Sequence, residues 1–103
     1  MYVLNYWHTV SDYAEWKKIF DRDPLGREAS GVRRVSIERP VDDEHTVIGE
    51  LEFDSLAEAE AFAGRLQEAW KGLGNQVVSN AGHRITEVLE QRLFGIESGR
   101  RVA

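Results

Sequence analysis

The stretch His8–Asp21, HTVSDYAEWKKIFD, decides how this chain folds. It joins the end of an apolar alternating run to an amphipathic helix. Ser11 and Asp12 are both good helix N-caps, and Glu15, three residues after Asp12, has the spacing of a capping box. Beyond the cap, Tyr13, Trp16, Ile19 and Phe20 recur at helical spacing and form one apolar stripe, while Lys17, Lys18 and Asp21 fall on the wet side. Core packing is the ordinary role of aromatics on such a stripe. His8 has two readings. It is a strand residue satisfied by one hydrogen bond, or a titratable group at the rim of a pocket, with neutral imidazole available near pH 7.

Upstream, Tyr2–Val10 alternates and is rich in aromatic and branched residues, so strand one spans 2–10. Leu4, Tyr6, His8 and Val10 share one face; Val3, Asn5, Trp7 and Thr9 share the other. Both faces are largely apolar, which suits a strand buried on both sides. Downstream, the spacing predicts helix one over 12–22. Asp23 and Pro24 restart a short helical segment, with Asp as cap and Pro at the first position. Strand two is expected at 32–39 and strand three at 46–53, joined by the polar turn after Pro40. Symmetric closure of that hairpin sets Arg34 opposite Glu50 and Ile37 opposite Val47. Ser55 and Glu58 form a second capping box, and Leu56, Ala59, Phe62, Ala63, Leu66 and Trp70 make the stripe of helix two, at 55–71. Residues 73–82 hold glycine and asparagine breakers and read as a loop with one apolar anchor. Strand four is placed at 84–94, and 96–103 is a loose C-terminal end.

The order β-α-β-β-α-β is the ferredoxin-like, split βαβ arrangement of the α+β class, an antiparallel sheet with both helices on one face. Right-handed crossovers put strands one and three side by side at its centre. The other face, with Val3, Trp7, Ile48 and the apolar residues of strand four, needs cover, and a two-fold homodimer supplies it.

Composition narrows the partners. The 103 residues fit one domain, and their 13 basic and 18 acidic side chains give a net charge of −5. That argues against nucleic acid and against an anionic membrane surface. No cysteine is present, so thiolate and disulfide chemistry are excluded. No apolar run approaches the ~18 residues of a membrane span, and the N-terminus lacks a signal-peptide pattern. A cytoplasmic protein is expected. No glycine-rich phosphate loop occurs. The three histidines are too scattered for a metal triad, and His45 beside Asp42, Asp43 and Glu44 reads as solvated turn. No metal is expected.

The run HTVSDYAEWKKIFD, followed by Arg27, Gly31, Arg39, Asp43 and FDSLAEAEAF from Phe53 to Phe62, resembles small bacterial proteins of the dimeric α+β barrel fold. These belong to the wider group that includes the antibiotic-biosynthesis monooxygenases. The resemblance spans Tyr6 to Trp70. It implies a pocket between sheet and helices, lined here by Tyr6, His8, Trp16, Phe20 and Phe62, with Arg39 near a strand end. The group mixes cofactor-free oxygenases, haem-degrading enzymes, cyclases, isomerases and proteins without known activity. Its haem-degrading branch uses an Asn on strand one, a Trp on helix two and a following His. Asn5, Trp70 and His83 match these types but not their register, so Trp70 is read as core and His83 as a surface loop residue.

Three functional classes follow. The first is cofactor-free oxidation or cyclisation of an aromatic or polyketide-like molecule. It needs a dry pocket, a base to ionise a phenol or enol, and a cation for the oxyanion. His8 is the candidate base and Arg39 the candidate cation; no cofactor is expected. The second is a small-ligand-binding module without chemistry. The third is a purely structural dimer.

Overall fold

The computed structural model describes residues 1–97, 100 and 101. It has the ferredoxin-like element order expected above. β1 (Tyr2–Val10) leads to α1 (Tyr13–Asp21), then β2 (Val32–Glu38), β3 (Thr46–Phe53), α2 (Leu56–Leu73) and β4 (Val78–Glu87). The four strands make one antiparallel sheet in the order β2-β3-β1-β4. β5 (Ile96–Glu97) pairs with β6 (Arg100–Arg101). The rest of the loose end expected at 96–103 lies outside the described residues.

Each helix starts where its cap dictates. Asp12 and Ser55 are extended, and their side-chain oxygens accept the N–H of Glu15 and of Glu58, both at 3.2 Å. This satisfies an amide that has no partner within the helix. The Glu58 carboxylate leans on Gly31, whose φ of +99° suits glycine. Two apolar clusters fill the space under the helices. Leu4, Leu51, Phe53, Ala59 and Phe62 pack beneath α2, and Val10, Trp16, Val47 and Val78 pack near α1.

Four expectations need correction. The short helix restarted at Asp23 is a run of turns instead. Asp23 itself adopts φ +52°, and its carboxylate accepts the Arg27 N–H at 2.9 Å, which closes a turn rather than a helix. The β2–β3 hairpin is two residues out of the symmetric register: Arg34 opposes Glu52, and Ile37 opposes Gly49. The loop is longer because Asp43 accepts from the His45 N–H and the Thr46 hydroxyl, while His45 is tied to Val10 through its backbone and its ring. A shift of two preserves which face each residue occupies.

Strand four runs over Val78–Glu87, not 84–94, so the loop predicted at 73–82 is partly strand. The breakers have uses within the ladder. Asn80, at φ +53°, absorbs a register shift between Trp7 and Thr9. Gly82 seats the Trp7 indole: a Cβ there would stand 2.6 Å from Nε1. The fourth correction follows, since His83 lies on β4 opposite Tyr6 rather than on a loop. Residues 88–94 run beyond the sheet with Leu89, Leu93 and Phe94 exposed.

Candidate functional site

Strand alternation aims Leu4, Tyr6, His8 and Val10 at the helices, and all four are buried. His8 is 1% exposed, and neither ring nitrogen has a hydrogen-bond partner. Aromatic rings surround it. Tyr6 stacks at 5.6 Å between centroids with a 17° interplanar angle, Trp16 lies at 5.3 Å and Trp70 at 5.9 Å. Burial lowers the His8 pKa to about 4, because the imidazolium finds neither water nor a counter-charge there. The β4 register shift falls directly beside His8, between Trp7 and Thr9. Bulges of this kind gather where a side chain must be re-aimed.

A cavity opens between α1, α2 and the sheet, with Tyr6, His8, Trp16, Phe20, Phe62 and Trp70 among its walls. The cavity volume is about 80 Å³; a water needs roughly 10–15 Å³, so several fit. Trp16 and Phe20, at 5.2 Å, continue the aromatic wall along α1. Tyr6 lies flat against Gly49, where any Cβ would overlap its ring. Burial pushes the Tyr6 hydroxyl well above the usual tyrosine range, and the Arg27 charge partly opposes this.

The mouth is formed by Asp23, Pro24, Leu25 and Arg27. The Arg27 guanidinium lies 4.0 Å over the Phe20 ring and donates to the Phe20 carbonyl at 3.0 Å. Arg65, from α2, holds the same segment by donating to the Ser30 hydroxyl at 2.8 Å.

The expected site residues separate into two groups. Tyr6, His8, Trp16, Phe20 and Phe62 converge on the cavity. Arg39 does not line it: its side chain is exposed and faces the Tyr13 ring at 5.9 Å. The cation at the cavity is Arg27. In the sequence Arg27 stands only among the residues of the resemblance, with no role attached to it. Trp70, read as core, is also a wall residue. Asn5 reaches Thr86 Oγ1 at 3.3 Å on the helix-free face, whereas His83 meets Gln67 of α2 at 3.3 Å on the other. Asn5, Trp70 and His83 therefore do not converge. Among the described residues no group of three or more His, Asp or Glu side chains could hold a metal ion. The Thr46 hydroxyl and the His45 amide hold the Asp43 carboxyl below its usual range, which marks it as a turn former.

No protein-family model matches the chain, and no curated protein is significantly similar to it. Solved structures do match. A Deinococcus radiodurans protein assigned to the antibiotic biosynthesis monooxygenases superposes with a TM-score of 0.73 at 11% identity, over 91% of this chain and 98% of that one. SnoaB, a cofactor-independent oxygenase from Streptomyces nogalater, gives 0.67 at 18% identity, over 87% and 94%. MhuD, solved with two manganese protoporphyrin IX molecules per active site, gives 0.66 at 22% identity, over 89% and 98%. Dimeric ferredoxin-like proteins from uncultured marine organisms share the fold as well. At these identities the likeness is one of fold: the chain has the ferredoxin-like α+β architecture of antibiotic-biosynthesis-monooxygenase-type structures.

Proposed function

We propose that the cavity binds a small aromatic or apolar molecule carrying one neutral oxygen, and that the protein oxidises or cyclises it without a cofactor. The observation that carries this reading is His8, a buried imidazole with both nitrogens unpartnered beside an aromatic-walled cavity. A buried polar group without a partner costs roughly 1–3 kcal/mol, so it is retained where a guest completes it. A ligand hydroxyl can donate to one imidazole nitrogen or accept from the other. In the chemical version, His8 takes the proton of a bound phenol or enol. The enolate or phenolate so formed gives an electron to dissolved dioxygen, and the two radicals join in a carbon–oxygen bond. The hydroperoxide then loses water as its O–O bond breaks, which turns a CH2 into a carbonyl. In the ring-closing alternative the carbanion adds to a carbonyl of the same molecule, and the alkoxide takes the proton back from His8. Isolated imidazolium is disfavoured here, but one formed against a phenolate is paired at once. The fold shared with a cofactor-independent oxygenase supports this version.

The experiment is incubation with a phenol or anthrone under air while absorbance and oxygen are followed. Turnover that stops with His8→Ala is expected; binding without oxygen uptake or product would remove the chemistry and leave a binding protein. One observation favours that second reading. With its pKa near 4, His8 is a weaker base than an ordinary histidine.

Assembly belongs to the same reading. Trp7 is 40% exposed on the helix-free face, beside Ile48 in the ladder, and Leu89, Leu93 and Phe94 are open beyond β4. A second copy of the chain covers this surface. The working form is then a homodimer, with no nucleic-acid or membrane partner, in a bacterial cytoplasm.

A further inference from the structure

Among the described residues, Arg27 is the only cationic side chain lining the cavity, and its structural contacts use part of its capacity. A guanidinium carries five N–H groups. One on Nη1 is given to the Phe20 carbonyl, and Nε faces Asp23 Oδ1 at 3.5 Å. The remaining N–H groups have no protein acceptor among the described residues. Asp23 is committed as well, because the same Oδ1 also accepts the Arg27 backbone N–H. The guanidinium is held over the Phe20 ring at 4.0 Å, so it is positioned before any ligand arrives. Its charge reaches into the cavity, where it is felt at the Tyr6 hydroxyl. The one carboxylate in the lining among the described residues, Asp23, is held by Arg27 itself, and beyond that pair the walls are apolar or, at Tyr6 and His8, neutral, so the interior offers an anion nothing.

We infer that Arg27 selects ligands bearing a carboxylate. The flat body of the ligand lies against Trp16, Phe20 and Trp70, its neutral oxygen meets His8, and its carboxylate takes the free N–H groups of Arg27 at the mouth. This rests on the ligand-binding reading above and adds a second point of recognition. An arginine–carboxylate contact at a partly dry, preformed site is charge-assisted and shaped to the carboxylate plane. The protein as a whole repels anions, with a net charge of −5, so a preference for the acid must come from a local cation.

The test compares 2-naphthol with 6-hydroxy-2-naphthoate, two probes that differ by the carboxylate. Binding is read from quenching of tryptophan emission, since Trp16 and Trp70 line the cavity. The wild type should bind the acid about tenfold or more tightly than the naphthol, which corresponds to 1.4 kcal/mol. Arg27→Gln should remove the advantage of the acid over 2-naphthol, whatever it does to the affinity for both, and Arg27→Lys should keep part of the preference. Wild-type binding of the naphthol with no gain for the acid overturns the inference and leaves the ligand-binding reading standing. A preference that survives in Arg27→Gln overturns it too. If neither probe binds, both fall. The wild-type comparison decides the matter even if a variant fails to fold.

Discussion

His8 shows what strand periodicity can and cannot reveal. Its parity with Leu4, Tyr6 and Val10 assigned it to the helix face from the sequence alone, because side chains alternate along a strand. That it has no partner was not legible, since partners come from helices distant in sequence. Arg39 failed as the cavity cation for the same reason. The sequence puts it at the end of strand two, but β2 stops at Glu38, the hairpin register is two residues longer, and its side chain ends over Tyr13.

Burial of His8 gives a pH dependence. Its folded pKa, about 4, lies below the ordinary 6.5, so between these values the unfolded chain binds more protons. Stability should therefore rise as pH increases from about 4 to about 6.5 and stay level above. The gain should be of order 3 kcal/mol by the usual conversion, and His8→Gln should flatten it. Urea unfolding at a series of pH values measures this; an unchanged slope in the variant would show that other groups are responsible. Gly49 supplies a second residue-scale prediction. A methyl group there must displace the Tyr6 ring, so Gly49→Ala should cost about 1–3 kcal/mol and weaken ligand binding in parallel.

Among the elements, the helices were readable because their signals are local. Asp12 and Ser55 each mark an N-cap, and each accepts the amide three residues on. Asp12→Ala should lower stability by roughly 1 kcal/mol without altering the sheet. Thermal unfolding by circular dichroism reads that difference, and a loss near zero would mean that Ser11 replaces the cap. β4 was misplaced because glycine and asparagine ordinarily end strands. Here Asn80 sits at a register shift and Gly82 beneath an indole, and both uses depend on Trp7, more than seventy residues earlier. Gly82→Val should consequently destabilise β4 and displace Trp7, with a changed Trp7 emission in a Trp16→Phe, Trp70→Phe background as its mark.

At the scale of the whole molecule, element order and hydrophobic pattern gave the architecture. The helix-free face was recognised as needing cover from Val3, Trp7 and Ile48, although its strand-four part was set six residues too far along. The chain mass is 11.7 kDa. Sedimentation should return twice that value at micromolar concentration, and Trp7→Glu should return the monomer; a wild-type monomer would contradict the assembly. The cavity, by contrast, was legible only as a list of aromatics. Its mouth is built from turns around Asp23 and Arg27, which carry no periodic signal. Ligand binding in this cavity depends on His8 being a neutral imidazole that awaits a guest. Nitrogen NMR of 15N-histidine-labelled protein, titrated with 2-naphthol across pH 5–8, tests this directly. The account predicts that His8 stays neutral throughout that range and that its ring nitrogens shift when the naphthol binds. A His8 that protonates near 6.5 and does not respond to the ligand would contradict it.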